Sequence, residues 1–138
     1  MSRPVSAWIF ARWRAVSATL TWVNCGHPPA YLVDAEGTLA QLEAPEHPAL
    51  GVDVATPKFR LSTRQLRSGE RLILVTDGII ERQMEDGGTF GVDGIREALE
   101  RTASTSAAST AMAIQQAVTE CWREPLEDDA TVVVMAVD

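Results

Sequence analysis

Short runs of aliphatic and aromatic residues fill the first half of the chain, and turn-prone residues separate them. These runs are rich in the β-branched and aromatic residues that strands favour: SAWIFARW, TLTWVN, AYLVD, LAQLE and KFRLSTRQL. Between AYLVD and LAQLE, Gly37 in AEGT favours a hairpin turn with a positive φ. The first half therefore predicts a series of antiparallel strands.

Two later runs are apolar without alternation. Leu72 to Val75 in RLILVTDG run directly into Thr-Asp-Gly, and the final run, TVVVMAV at 131–137, follows an acidic pair. Continuous apolar runs of this length are typical of strands that are buried on both faces. We therefore expect both strands to lie inside the core.

Between these two strands, the spacing of apolar residues changes to that of helices. In VDGIREALERTA, Ile95, Ala98 and Leu99 share one helical face, and Asp93 is the predicted N-cap. STSAAST is predicted to be a linker, and TAMAIQQAVTECW repeats apolar residues at helical spacing. The order of elements is a series of strands, then two helices, then one strand. This order predicts a single α+β domain over 1–138, with helices packed on a mostly antiparallel sheet.

Composition excludes several classes of function. The 138 residues carry 19 acidic and 12 basic residues, a net charge of −7, which argues against a nucleic-acid surface. Cys25 and Cys121 lie far apart in the sequence and are interpreted as small hydrophobic residues. No apolar run is long enough to span a bilayer, and the N-terminus lacks the pattern of a signal peptide. We therefore expect a cytoplasmic protein.

Acidic residues flank the two buried strands at opposite ends. Asp77 follows the first strand, whereas Asp128 and Asp129 precede the second. If the strands are antiparallel neighbours, the three carboxylates converge at one rim of the sheet, where oxygen ligands favour Mg²⁺ or Mn²⁺. Gly78 fits this hypothesis, because a side chain there would crowd the ligands. Glu81 is interpreted as a solvated charge rather than an outer ligand.

Two other motifs do not carry chemistry by themselves. His27 lies in a Gly-His-Pro-Pro turn without a neighbouring Ser or Cys nucleophile, so a hydrogen-bonded turn is the favoured interpretation. EDGGTFG is rich in glycine but acidic, which is unsuitable for binding phosphate.

Several segments, in order, resemble the metal-dependent Ser/Thr protein phosphatases (PPM family, protein phosphatase 2C-like): LTWVNCGHPPAYLV, ALGV, LRSGERLILVTDGIIE, FGVDGIREAL and EDDATVVVMAV. The similar branch is bacterial and includes the sporulation stage II E phosphatase and regulators of stress-response sigma factors. The resemblance implies a β-sandwich with flanking helices and two Mn²⁺ or Mg²⁺ ions. It also implies a phosphoserine or phosphothreonine protein substrate, such as an anti-sigma-factor antagonist.

The resemblance assigns roles to individual residues. Asp77 matches the metal ligand of the family's Thr-Asp-Gly, and Asp128 matches the acidic ligand before the last strand. Asp129 aligns beside Asp128, either as a ligand or just outside the ligands, and the crowding argument makes Gly78 the backbone next to the metal. The resemblance transfers no catalytic side chain, and the turn around His27 is a structural hallmark of the branch.

The sequence departs from the family in its first part. The family has two further acidic segments upstream, a Gly-Asp and a Gly-Asp-x-x-Gly-His-Gly turn, and neither occurs here. The resemblance therefore implies an N-terminally incomplete fold with only one wall of the metal site. An incomplete sandwich exposes an apolar face or a free edge, through which a homodimer is expected.

Three functional interpretations follow from the sequence. The first is an enzyme, a phosphatase represented by its C-terminal portion. The second is a truncated, inactive PPM-like module that acts by binding proteins. A receiver domain also clusters aspartates, but its acidic pair follows the first strand, whereas Asp128 and Asp129 precede the last one. This third interpretation is set aside.

Overall fold

Antiparallel strands and three helices make up the computed structural model, which describes residues 5–52 and 58–138. The strands are β1 (Trp8–Arg14), β2 (Thr19–Cys25), β3 (Tyr31–Val33), β4 (Leu39–Gln41), β5 (Ser62–Gln65), β6 (Arg71–Val75) and β7 (Val132–Ala136). The helices are α1 (Asp77–Ile80), α2 (Gly91–Glu100) and α3 (Ala107–Glu120), and a 3₁₀ turn spans Ala15–Ser17. The α+β class is confirmed.

The strands form two sheets. One has three strands in the order β1-β2-β5, and the other has four in the order β4-β3-β6-β7. Every pair of neighbouring strands in these sheets is antiparallel. The predicted hairpin joins β3 to β4, and Gly37 in its turn has a φ of 94°. The strands of the first half therefore form as their composition predicts.

Two hydrophobic cores lie on opposite faces of the four-stranded sheet. Leu72 faces the core between the sheets, with Leu20 and Trp22 of β2. Ile73 and Val75 face the second core, which packs the sheet against α2 and α3. The order of layers is thus sheet, sheet, helices, and β6 lies inside the middle layer as predicted.

β7 differs from the prediction that it is buried on both faces. It is the edge strand of its sheet, and Val133 is 55% exposed. Val132 and Val134 pack against the helical core, whereas Met135 packs between the sheets. A continuous apolar run therefore identified the strand but not its place at an edge, because edge and central strands differ in neighbours rather than in local sequence.

Both long helices begin at residues other than those expected. α2 begins at Gly91 after Phe90, so Asp93 lies in its first turn, where it pairs with Arg96, and the predicted N-cap is wrong. α3 begins at Ala107, and its N-cap Ser106 accepts a hydrogen bond from the Ser109 amide. The second half of the predicted linker is therefore helical, because a serine cap starts the helix earlier than its apolar face shows.

One end of the outer face of the three-stranded sheet carries an exposed apolar patch. Trp8 and Phe10 of β1 are 48% and 50% exposed, and their rings stack with centroids 5.6 Å apart. Phe10 pairs across the sheet with Val23, which lies on the same face. The expected exposed apolar face is therefore found on this sheet.

A buried arginine joins β6 to α3. Arg71 is 5% exposed, and its Nη1 donates a hydrogen bond of 2.7 Å to the Oγ1 of Thr110, which is fully buried. Desolvation lowers the pKa of the Arg71 guanidinium. Thr110 also donates to the Ser106 carbonyl, so one hydroxyl connects the sheet, the helix and its cap.

We expect Thr110→Val to lower the free energy of unfolding by about 1.5–3 kcal/mol, because it leaves a buried guanidinium without its acceptor. Thr119→Val is the matched control, since Thr119 makes the same bond to a carbonyl four residues earlier but is exposed. Urea unfolding of both variants tests this expectation. Equal losses would show that the bond to Arg71 contributes nothing to stability.

Candidate metal centre

The pairing of β6 with β7 brings the acidic segments to one rim of the sheet. Val75 is the register partner of Val132, and the Thr76 amide donates to the Thr131 carbonyl at 3.1 Å. Asp77, two residues beyond the end of β6, therefore lies beside the residues that precede β7. The prediction that these strands are antiparallel neighbours is confirmed.

Thr76 holds the two segments together with its side chain. Its Oγ1 donates to the Asp129 carbonyl at 3.0 Å and accepts from the Thr131 amide at 2.9 Å. These bonds extend the ladder by one step beyond the last strand pair, although Asp129 is in no strand. The backbone of the acidic pair is thereby held against the strand that carries Asp77.

Gly78 lies where the two segments touch. A Cβ atom on this residue would lie 2.3 Å from the Asp129 carbonyl oxygen and 3.2 Å from that of Asp128. Only glycine therefore permits this approach. The expected crowding is present, but backbone carbonyls cause it rather than the metal ligands that the sequence argument invoked.

The three carboxylates do not form a closed cluster. Asp77, Asp128 and Asp129 are all exposed, and Asp128 Oδ1 accepts a hydrogen bond of 2.8 Å from the Asp129 amide. Within residues 5–52 and 58–138, no group of three or more His, Cys, Asp or Glu side chains is arranged to hold a metal ion. The strand ends converge as predicted, but solvated carboxylates repel and remain apart at the rim.

The donor chemistry at the rim nevertheless fits a hard divalent cation. The side chains and carbonyls at the junction of Asp77, Gly78 and Asp128 are all oxygen donors, which Mg²⁺ and Mn²⁺ prefer. Glu81, at the end of α1, is exposed, as expected of a solvated charge. The open rim leaves these oxygens accessible from solvent.

His27 belongs to a turn, as the sequence indicated. Its amide donates to the Asn24 Oδ1 at 2.9 Å, and the Asn24 side chain donates to the His27 carbonyl at 2.8 Å. The imidazole Nδ1 lies 2.9 Å from the Pro28 carbonyl. This side chain is therefore occupied in stabilising the turn.

An open groove of about 780 Å³ lies beside the acidic rim. Gly78, Glu81, Trp122 and Asp128 contribute to its walls, and the buried Arg82 contributes to its floor. Sequence reasoning missed Arg82, because an arginine after Glu81 looks like one more solvated charge. The carbonyl groups that bury it come from a segment about 40 residues later.

None of the helices in the described part of the chain has the length and apolarity needed to cross a membrane. α3, with 14 residues, is the longest of them and is amphipathic. Ile114 and Val118 on one face of α3 are buried in the helical core.

Phosphatase domains of the PP2C type share this fold. The phosphatase domain of the cell fate determinant SpoIIE from Bacillus subtilis gives a TM-score of 0.74 at 18% identity. The catalytic domain of the serine/threonine phosphatase PstP, solved with two manganese ions, gives 0.65 at 22% identity. The matches cover 96% and 97% of this chain but only 56% and 60% of those chains. The chain thus spans little more than half of these domains.

A curated relative shares more of the sequence over a shorter region. Protein IcfG of Synechocystis sp. is 30% identical over 91 residues. The match covers 66% of this chain and 14% of that protein. The similarity therefore concerns one small part of a much longer protein.

We expect Gly78→Ala to destabilise the fold by about 1–3 kcal/mol, because the added methyl group overlaps the Asp129 carbonyl and forces the segments apart. Gly88→Ala is the control, since its Cβ would approach only the exposed Asp86 side chain, at 3.1 Å. Thermal or urea unfolding measures the difference. A Gly78 variant as stable as the Gly88 variant would contradict the close approach.

The family of the chain follows from the extent of the match. The family model described as Stage II sporulation protein E (SpoIIE) matches residues 3–138. This range contains the β6–β7 pair, the Thr-Asp-Gly turn and the acidic pair that meets it. The chain belongs to the stage II sporulation protein E (SpoIIE) family.

Proposed function

We propose that the chain is the C-terminal portion, 1–138, of a cytoplasmic, metal-dependent Ser/Thr protein phosphatase domain. Its substrates are phosphorylated regulatory proteins of bacterial signalling, such as anti-sigma-factor antagonists. One observation carries the proposal: in a member of the SpoIIE family, the register of β6 and β7 places Asp77 beside the acidic pair Asp128 and Asp129.

Asp77, Asp128 and Asp129 are the residues that would hold Mn²⁺ or Mg²⁺. Support comes from their oxygen donors and from two relatives of this fold, the SpoIIE domain that was presoaked in manganese and PstP with two manganese ions. When bound, such ions would neutralise phosphate charge and lower the pKa of water for hydrolysis of a phosphoserine or phosphothreonine.

Other residues of this chain would contribute to the reaction by holding the acidic residues in place. Thr76 fixes the backbone of the acidic pair, and Gly78 permits its close approach. The groove beside Asp128 has room for the polypeptide that carries the phosphate. In this proposal water, rather than a side chain, attacks the phosphorus.

A second candidate function is binding without catalysis. The open carboxylate rim and the exposed apolar patch of Trp8 and Phe10 favour a PPM-like module that recognises another protein. The two candidates differ in one measurable property, the dependence of phosphate release on Asp77 and Asp128.

We expect the chain alone to bind Mn²⁺ weakly and to hydrolyse a phosphoserine peptide very slowly, because affinity for a hard cation depends on the number and rigidity of its carboxylates. Fusing the unmatched N-terminal part of the SpoIIE phosphatase domain to this chain should restore Mn²⁺-dependent turnover. Asp77→Asn or Asp128→Asn should then lower that turnover by about 100-fold or more.

Asp93→Asn is the control for this assay, since Asp93 is an exposed carboxylate on α2. It should leave turnover unchanged. A fusion protein without Mn²⁺-dependent turnover would reject the phosphatase proposal and favour the binding module. Turnover that persists in both rim variants would show that hydrolysis does not depend on Asp77 and Asp128. Rapid turnover by the chain alone, lost in the rim variants, would show that one wall of acids is sufficient.

We also expect the isolated chain to associate with itself through β1, a free edge strand whose outer face carries Trp8 and Phe10. Phe10→Lys should lower the association constant measured by light scattering. Val16→Lys should not, because Val16 is apolar and even more exposed than Phe10 but lies in the 3₁₀ turn outside the sheet. A monomer at high concentration would contradict the expected dimer.

A further inference from the structure

The segment that carries the acidic pair has no regular structure of its own. Residues 122–130 connect α3 to β7 and belong to no helix or strand. Within the described part of the chain, they form no hydrogen bonds between backbone groups. Such a segment stays in place only if side chains bind its backbone groups.

Arg82 binds the first half of this segment. Its Nη1 donates to the Pro125 carbonyl at 2.8 Å, and its Nη2 donates to the Trp122 carbonyl at 3.2 Å and to the Glu124 carbonyl. The side chain is 7% exposed. A planar guanidinium can donate to several carbonyls in fixed directions, which no other side chain does as well.

Thr76 binds the other end of the segment, at the Asp129 carbonyl. Both side chains belong to residues 76–82, which also contain Asp77 and Gly78. One short piece of chain thus carries the first acid and holds, at two points, the backbone that carries the others.

The Arg82 guanidinium donates hydrogen bonds to carbonyls and pairs with no carboxylate within the described residues. Among residues 5–52 and 58–138, none of the ion pairs includes Arg82, although Glu124 and Asp128 lie along the same groove. Burying a guanidinium is costly, but charge-assisted bonds and the nearby C-terminal end of α3 offset part of that cost. The acids therefore remain available to a cation.

We propose that Arg82 is a positioning residue that fixes residues 122–129 and so sets the place of Asp128 opposite Asp77. Its consequence for metal binding rests on the proposed function, whereas its effect on the segment does not. The absence of regular structure in the segment makes this effect local. We expect the two cores and both sheets to stay folded without it.

The experiment compares Arg82→Met, Arg82→Lys and the control Arg96→Met with the original chain. Arg96 is an exposed arginine on α2. In the original chain, backbone ¹⁵N relaxation should give the amides of residues 123–129 other than Pro125 order parameters near those of rigid backbone, about 0.85. In Arg82→Met these values should fall below about 0.6. Arg82→Lys keeps the charge but cannot reach all three carbonyls, so we expect an intermediate value.

A second measurement follows the broadening of the Asp77 and Gly78 amide signals by Mn²⁺. We expect Arg82→Met to lower the apparent Mn²⁺ affinity about tenfold, since charge-assisted bonds to the segment are lost. Arg96→Met should change neither measurement. If order parameters respond as expected but Mn²⁺ broadens no signal of the original chain, the positioning role stands and the proposed metal function is wrong.

Three results would overturn the proposal. Order parameters for 123–129 that are already low in the original chain would show that Arg82 does not hold the segment. A loss of order spread over β1 and β2 as well would show a general effect on folding. Unchanged Mn²⁺ affinity with a disordered segment would show that Mn²⁺ binding does not depend on the place of Asp128.

Discussion

The antiparallel register between β6 and β7 is the constraint on which the rest of the structure depends. It pairs Val75 with Val132, so one strand ends where the other begins. The same register directs Leu72 and Met135 towards the core between the sheets, and Ile73 and Val134 towards the helices. A shift of one residue would turn each side chain to the wrong core. The packing of two cores therefore fixes the geometry of the acidic rim.

The layers give this rim a rigid base. β6 lies between β3 and β7 and is covered on both faces, so its end at Thr76 cannot move without disturbing both cores. The acids themselves lie beyond the last strand pair, exposed to solvent. Rigid backbone and solvated carboxylates thus meet within one or two residues. This arrangement suits a site that must be fixed in place but accessible to ions from solution.

Local patterns predicted the parts of the fold that depend on local chemistry. The apolar run before Asp77, the Gly37 turn and the buried face of α2 with Ile95 follow from period and turn type. Two errors concern tertiary partners: the exposure of Val133 depends on its place at the sheet edge, and the burial of Arg82 depends on distant carbonyls. The errors at the starts of α2 and α3 concern local capping instead. A sequence pattern indicates which residues are favoured in the core, but not which groups pack against them.

The rim also shows a division between backbone and side-chain groups. Carbonyls of the segment before β7 accept bonds from Arg82 and Thr76, while the carboxylates of Asp77 and Asp129 are exposed. If those carboxylates had served as the structural acceptors, a cation would have to break the fold in order to bind. Because carbonyls take that role, order in the segment and availability of the acids are compatible. Burying a guanidinium is costly. Its bonds to carbonyls nevertheless order the segment and leave the carboxylates free to bind a cation.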